Sequence, residues 1–172
     1  MVSKPLKCRV FNDKAKNLMK KAIVSTKKDM HERGFALKGR GENIVNAGRR
    51  CRGETCSVVI SGRGSAGQFH THPHDNPNLS IGDVASALIG YEPMTCVGVV
   101  AKSPYAPISV TGKPVTFCYL IDTKHPKYNE ARKASYNFIG SHSGFLSSSD
   151  QSVADFRKKY GALFPKVCME TV

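Results

Sequence analysis

The chain has 172 residues, with 26 Lys and Arg against 13 Asp and Glu, a formal charge of +13 and a sequence pI near 9.6. That length suits one domain with a real core. No apolar run approaches the roughly 18 residues needed to cross a bilayer, and the N-terminal stretch lacks the apolar centre of a secretory signal, which predicts a cytoplasmic protein with no membrane partner.

Residues 13 to 31 read as an amphipathic helix. Ala15, Leu18, Met19, Ala22, Ile23 and Thr26 fall on one face, most of the lysines fall off it, and Asn12 or Asp13 is placed to cap it. Gly34 breaks the pattern. Residues 34–39, 43–48, 56–61 and 67–72 then read as strands separated by Gly- and Arg-rich turns. A second helix fits residues 81–90, with Ile81, Val84, Ala85 and Leu88 on one face. The apolar runs 95–103 and 115–123 read as buried strands, with Pro104 and Pro107 in the turn region between them. Tyr128, Ala131, Ser135, Phe138 and Ile139 suggest a third helix. Val153, Phe156, Tyr160, Leu163 and Phe164 suggest a fourth, after a Ser- and Gly-rich connection at 141–150. The expected fold is α/β, one mixed sheet with helices packed on it.

The run HTHPHDNPNLSIGD, residues 70–83, holds three of the six histidines. On a strand, side chains two apart point to one side, so His70 and His72 can aim at one point while Thr71 faces away. Paired imidazoles are a chelating pair for Zn²⁺. Pro73 ends the strand. Ser80 and Asp83 then read in two ways. They form a capping box for the helix that follows, or Asp83 supplies a third metal ligand as the short loop returns the helix to the strand end. Three protein ligands and an open position describe a catalytic zinc, whereas structural sites usually have four. Such chemistry also needs a base from elsewhere in the chain.

His70, His72, Pro73, Ser80 and Asp83 reproduce the His-x-His-Pro-x6-Ser-x-x-Asp run of the JAMM, or MPN+, metalloproteases, and the chain resembles that family. A second motif in the family joins a Glu at the end of the first helix to glycines in the following strand. The family spacing is Glu-x-x-Gly-x-x-x-Gly; ERGFALKG resembles it with Glu32, Gly34 two residues on and Gly39 seven residues on. The resemblance implies a single JAMM/MPN-like domain over residues 1–172, with a curved mixed β-sheet flanked by helices. Residues 124–172 would form a helical C-terminal part that aligns least well. It implies one Zn²⁺ per chain on His70, His72 and Asp83. Glu32 would act as general base and then general acid, and Ser80 would donate to the developing oxyanion.

The activity so implied is zinc-dependent hydrolysis of an amide or isopeptide bond in a protein or peptide, including release of a ubiquitin-like modifier. The short stretch from Glu32 to His70 leaves little room for the insertions with which ubiquitin-cleaving relatives grip ubiquitin. Pro77 also matches an extra proline of RadC-like relatives. With the charge of +13, this gives an alternative, a nucleic-acid-associated protein of the same fold; a non-catalytic MPN scaffold is a third reading. The charge otherwise serves an acidic partner or simply solvates helix faces. Arg33 either screens Glu32 or faces solvent. His74 is a surface histidine or a substrate contact. The basic loop 47–53, with Arg40 and Arg63 near it, is more often solvated than binding. Cys8, Cys96, Cys118 and Cys168 read as free thiols or small core residues. Cys51 and Cys56 read as free thiols by default, with a disulfide or half a structural zinc site as alternatives.

Overall fold

A computed structural model describes residues 6–8, 11–39, 46–52, 65–141 and 151–172. Helix α1, Asp13–Asp29, opens where the Asn12 side chain accepts the Ala15 N–H at 2.8 Å. It ends at Met30, whose left-handed backbone (φ 59°) stops the helix. Its buried face is Ala15, Met19, Ala22, Ile23 and Thr26, with Leu18 half-buried, so the 3.6-residue period of the sequence is realised.

Seven strands form one mixed sheet. They are β1 (Leu6–Lys7), β2 (Arg33–Lys38), β3 (Asn46–Arg52), β4 (Ser65–Thr71), β5 (Met94–Val100), β6 (Pro114–Leu120) and β7 (Lys166–Thr171). The order is β1-β7-β6-β5-β4-β2-β3. The β4–β5 and β1–β7 pairs are parallel; the others are antiparallel. The parallel β4–β5 pair needs a crossover, which α2, Ile81–Ile89, supplies. Helices α3 (Tyr128–Ser141) and α4 (Gln151–Tyr160) join α2 in a second apolar cluster through Leu88, Ala131, Val153, Phe156 and Leu163. The fold is α/β, with a mixed sheet and flanking helices. No described helix is long and apolar enough to cross a membrane.

Two glycines record how tightly the layers meet. A Cβ at Gly98 would lie 2.5 Å from a ring carbon of Phe69 and 2.7 Å from Ile23, so α1 can sit down on β5 only because position 98 has no side chain. A Cβ at Gly34 would lie 2.8 Å from the Phe69 carbonyl oxygen, where β2 runs beside β4 in register with His70.

Several expectations are corrected. Of the strand expected at 43–48, residues 46–48 fall in β3, which runs on to Arg52, and residues 43–45 lie outside the described residues. The fourth helix stops at Tyr160, and Gly161–Leu163 form a 3₁₀ turn. The C-terminal part is not wholly helical, because Lys166–Thr171 is a strand between β1 and β6. Its alternation was masked by Lys166, Glu170 and Thr171, which read as surface. Nor are the four core cysteines thiols. Cys8 is bonded to Cys168 and Cys96 to Cys118, since strand pairing places both pairs side by side in the buried interior. Residues 56–61, Cys56, Arg40, Arg63, Gly53 and residues 142–150 lie outside the described residues. For Cys51 and the arginines of β3, only the strand backbone is described.

Candidate metal centre

Strand β4 ends at Thr71, and its last residues alternate as expected. Thr71 is buried on one face, while His70 and His72 share the other, with their Nε2 atoms 3.0 Å apart. The His72 N–H still reaches the Gly98 carbonyl at 3.1 Å, which extends the β4–β5 ladder one residue past the strand. Pro73 then turns the chain away. The turn is held by Asp75, in a left-handed conformation (φ 57°). Its carboxylate accepts the Val100 N–H at 3.2 Å and pairs with Lys27 at 2.6 Å. The Tyr119 hydroxyl donates to the Pro77 carbonyl at 2.6 Å, and the Arg157 guanidinium to the Leu79 carbonyl at 3.2 Å. These ties return the chain so that α2 begins beside the histidines.

Ser80 is the N-cap of α2. Its hydroxyl accepts the Asp83 N–H at 3.1 Å, and the Asp83 carboxylate accepts the Ser80 N–H at 2.7 Å. The same carboxylate lies 3.2 Å from His70 Nε2 and 3.3 Å from His72 Nε2. The capping reading of Asp83 is realised, and the same carboxylate, fixed by its helix, lies against the histidine pair where a third ligand would stand.

The three donors fit a metal. Tetrahedral ligands at zinc–nitrogen distances near 2.05 Å stand about 3.3 Å apart; the two Nε2 atoms here stand 3.0 Å apart, and each faces its own oxygen of Asp83, His70 to Oδ1 at 3.2 Å and His72 to Oδ2 at 3.3 Å. His70, His72 and Asp83 can hold a metal ion. The tautomer also suits one: His72 Nδ1 donates to the Asn76 carbonyl at 2.6 Å, which leaves the Nε2 lone pair facing the other donors.

His72 and Asp83 shift one another's titration. Burial works against charge on His72, but the Asp83 carboxylate, the Asn76 carbonyl and the negative charge of Glu32 outweigh it and raise its pKa. Burial likewise opposes ionisation of Asp83, and the two imidazoles overcome it, holding the carboxyl well below its usual range. Tyr119 is pushed up to about 12, first by burial and then by the nearby Asp83 charge, so it stays a hydroxyl donor.

Glu32 is exposed between α1 and β2, and it lines a cleft of about 420 Å³ with His72, Pro73, His74, Ser80 and Arg157. The segment carrying Glu32 is anchored by a hydroxyl relay. The Arg33 N–H donates to Thr71 Oγ1 at 2.9 Å, the two threonine hydroxyls meet at 2.7 Å, and Thr26 Oγ1 donates to the His31 carbonyl at 2.8 Å. Since the Thr26 proton is committed to His31, Thr71 donates to Thr26. Thus the residue between the two histidines fixes both residues flanking Glu32.

Both expectations for Arg33 fail. Its guanidinium forms two bonds of 2.8 and 2.6 Å to Asp29, four residues back on the end of α1. His74 is exposed at the cleft rim, and its carbonyl accepts from Lys102 at 3.3 Å. As parts of the site, Asn76, Tyr119, Thr26 and Arg157 carry no signal in the sequence, where Thr26 reads only as part of the buried face of α1. Asn76 acts through its carbonyl, which any residue has, and the other three reach the site from elements distant in sequence.

No protein-family model matches the chain, and no curated protein matches it. Among solved structures, it is similar to a JAB1/MPN domain protein from Archaeoglobus fulgidus. The two are 16% identical, the likeness covers 66% of this chain and 86% of that one, and the TM-score is 0.38. At that level the functional reading rests on the site's own residues.

Proposed function

We propose that the chain is a zinc-dependent peptidase or isopeptidase of the JAMM type, one domain acting on an amide bond of a protein or peptide, with a ubiquitin-like modifier among the candidate substrates. The observation that carries this reading is the spacing of the His70, His72 and Asp83 donors at zinc-ligand separations beside a cleft lined by Glu32 and Ser80. A zinc ion on these three ligands would supply Lewis acidity and lower the pKa of water to about 7.

The residues then divide the work. Glu32 takes the proton of the attacking water on its carboxylate and returns it to the leaving nitrogen. The Ser80 hydroxyl spends its lone pair on the Asp83 N–H, so its own proton is available to the oxygen that becomes negative at the scissile carbonyl. Asn76 and Asp83 hold the imidazoles and the helix start in place.

The test is zinc content and peptide hydrolysis in the wild type, Glu32→Gln and His72→Ala. About one zinc per chain, kept in Glu32→Gln with hydrolysis reduced about 10²–10⁴-fold, and lost in His72→Ala, is the expected outcome. Full hydrolysis by Glu32→Gln with zinc bound would overturn the mechanism. The fit of the donors to zinc favours this over a nucleic-acid-binding role, which salt-dependent DNA binding by the zinc-free protein would revive.

A further inference from the structure

A second set of ligand-type side chains lies in the same sheet. Cys96 on β5 pairs in register with Cys118 on β6, and Cys118 pairs in register with Cys168 on β7. Cys8 follows β1, which pairs with β7 at Cys168. Three cysteines thus run in one register row across β5, β6 and β7, and Cys8, just beyond β1, continues it with its Cα 4.9 Å from that of Cys168. All four belong to one apolar cluster with Met19 and Ile23 of α1; Cys96 and Cys118 are fully buried, Cys168 is 2% exposed and Cys8 is 9% exposed. The bonds are Cys8–Cys168 and Cys96–Cys118, yet the sulfurs of Cys8, Cys118 and Cys168 all lie within 4.8 Å of one another.

Cys118 therefore stands between two register partners and is bonded to one. Directly opposed residues on antiparallel strands have Cα atoms about 4.5–5.5 Å apart, within the span a disulfide bridges. We propose that Cys8, Cys96, Cys118 and Cys168 form a single thiol–disulfide exchange centre in which Cys118 can bond to either neighbour, with a small or protein dithiol as its reductant.

The point of entry is Cys8. It is the most exposed member and follows β1, a two-residue strand at the sheet edge, the kind of element that frays first. The dithiol delivers two electrons and two protons to the Cys8–Cys168 bond and becomes a disulfide itself. The Cys168 thiolate then attacks Cys118 Sγ. The Cys118–Cys168 bond forms, the Cys96–Cys118 bond breaks, and Cys96 leaves as a thiolate that takes up the proton Cys168 gave up. The products are thiols at Cys8 and Cys96 and one disulfide between them in the row.

Disulfides favour this cluster over a bound metal. Its surroundings, Phe11, Met19 and Ile23 among them, are apolar, and three thiolates on Zn²⁺ would bury a net negative charge there, whereas a disulfide is neutral.

The test is a disulfide map of the whole chain. Wild type would be treated with limiting dithiothreitol, quenched in acid, unfolded, alkylated with N-ethylmaleimide and digested without reduction. The expected intermediate carries a Cys118–Cys168 bond with label on Cys8 and Cys96. A single intermediate with label on Cys8 and Cys168, and Cys96–Cys118 intact, would overturn the proposal. Cys8→Ser isolates the exchange, leaving one thiol among the three cysteines that remain in the row. Label on Cys96 within about tenfold of that on Cys168 is expected, a tenfold ratio being about 1.4 kcal/mol; label confined to Cys168 would refute it. Should Cys8→Ser fail to fold, Cys96→Ser offers the mirror measurement, with label expected on both Cys118 and Cys8. Zinc bound by the reduced wild type and lost in Cys118→Ser would replace exchange with a metal site and likewise refute the proposal.

Discussion

The two clusters of ligand-type side chains occupy one sheet and differ in what surrounds them. The histidine pair sits where β4 ends, facing a cleft, and its members have polar partners that fix their roles: Asn76 for the His72 tautomer and the α2 backbone for Asp83. The cysteine row runs from β5 toward the β1 edge of the sheet, with apolar neighbours and almost no exposure. The first environment suits a cation that must meet water. The second suits a neutral covalent bond. Donor identity alone does not separate these outcomes; access and the groups behind the donors do.

That contrast can be broken most decisively at the metal. His72→Ala should abolish zinc binding while leaving both disulfides intact by mass, and zinc retained in that variant would move the metal to the cysteines. The next largest effect concerns the relay. Thr71→Val strands the half-buried Arg33 N–H and should lower stability by about 1 kcal/mol. It should also reduce hydrolysis more than zinc affinity, because the segment it releases carries Glu32. Equal losses in both would make the relay part of the ligand shell instead.

pH sharpens the comparison further. In the metal-free protein His72 has a raised pKa. The stability it contributes is fully present below its unfolded value, near 6.5, and fades as pH rises through the folded value. Zinc requires the neutral imidazole. Calorimetry should therefore show His72 favouring the metal-free fold at low pH, and a zinc-induced rise in Tm that grows as pH increases. A zinc-induced rise independent of pH between about 6 and 8 would contradict the raised pKa of His72. The smallest effect is expected of Tyr119→Phe. It frees the Pro77 carbonyl and loosens the 73–79 turn, so zinc affinity should fall by no more than about tenfold with the disulfides unaffected.

Much of the site was legible because it is local. His70, His72, Ser80 and Asp83 fall within fourteen residues, strand periodicity puts the histidines on one side, and the capping signature places Asp83 in the first turn of α2. The amphipathic period of α1 and the apolar runs of β5 and β6 were readable for the same reason, since each depends on neighbours a few residues away. Strand β7 escaped notice because its alternation is carried by residues that also suit a surface, and its pairing with β1 and β6 joins the two ends of the described chain.

The sequence by itself determined the clustering of His70, His72 and Asp83, most of the helices and strands around them, and the place of Glu32 between α1 and β2. Only the tertiary structure decided that Arg33 turns to Asp29, that Thr71 ties down the segment bearing Glu32, and that four scattered cysteines share one row. Periodicity and capping act over one or two turns of chain. Hydrogen-bond partners and disulfides join residues tens of positions apart, and sheet order chooses which of them become neighbours.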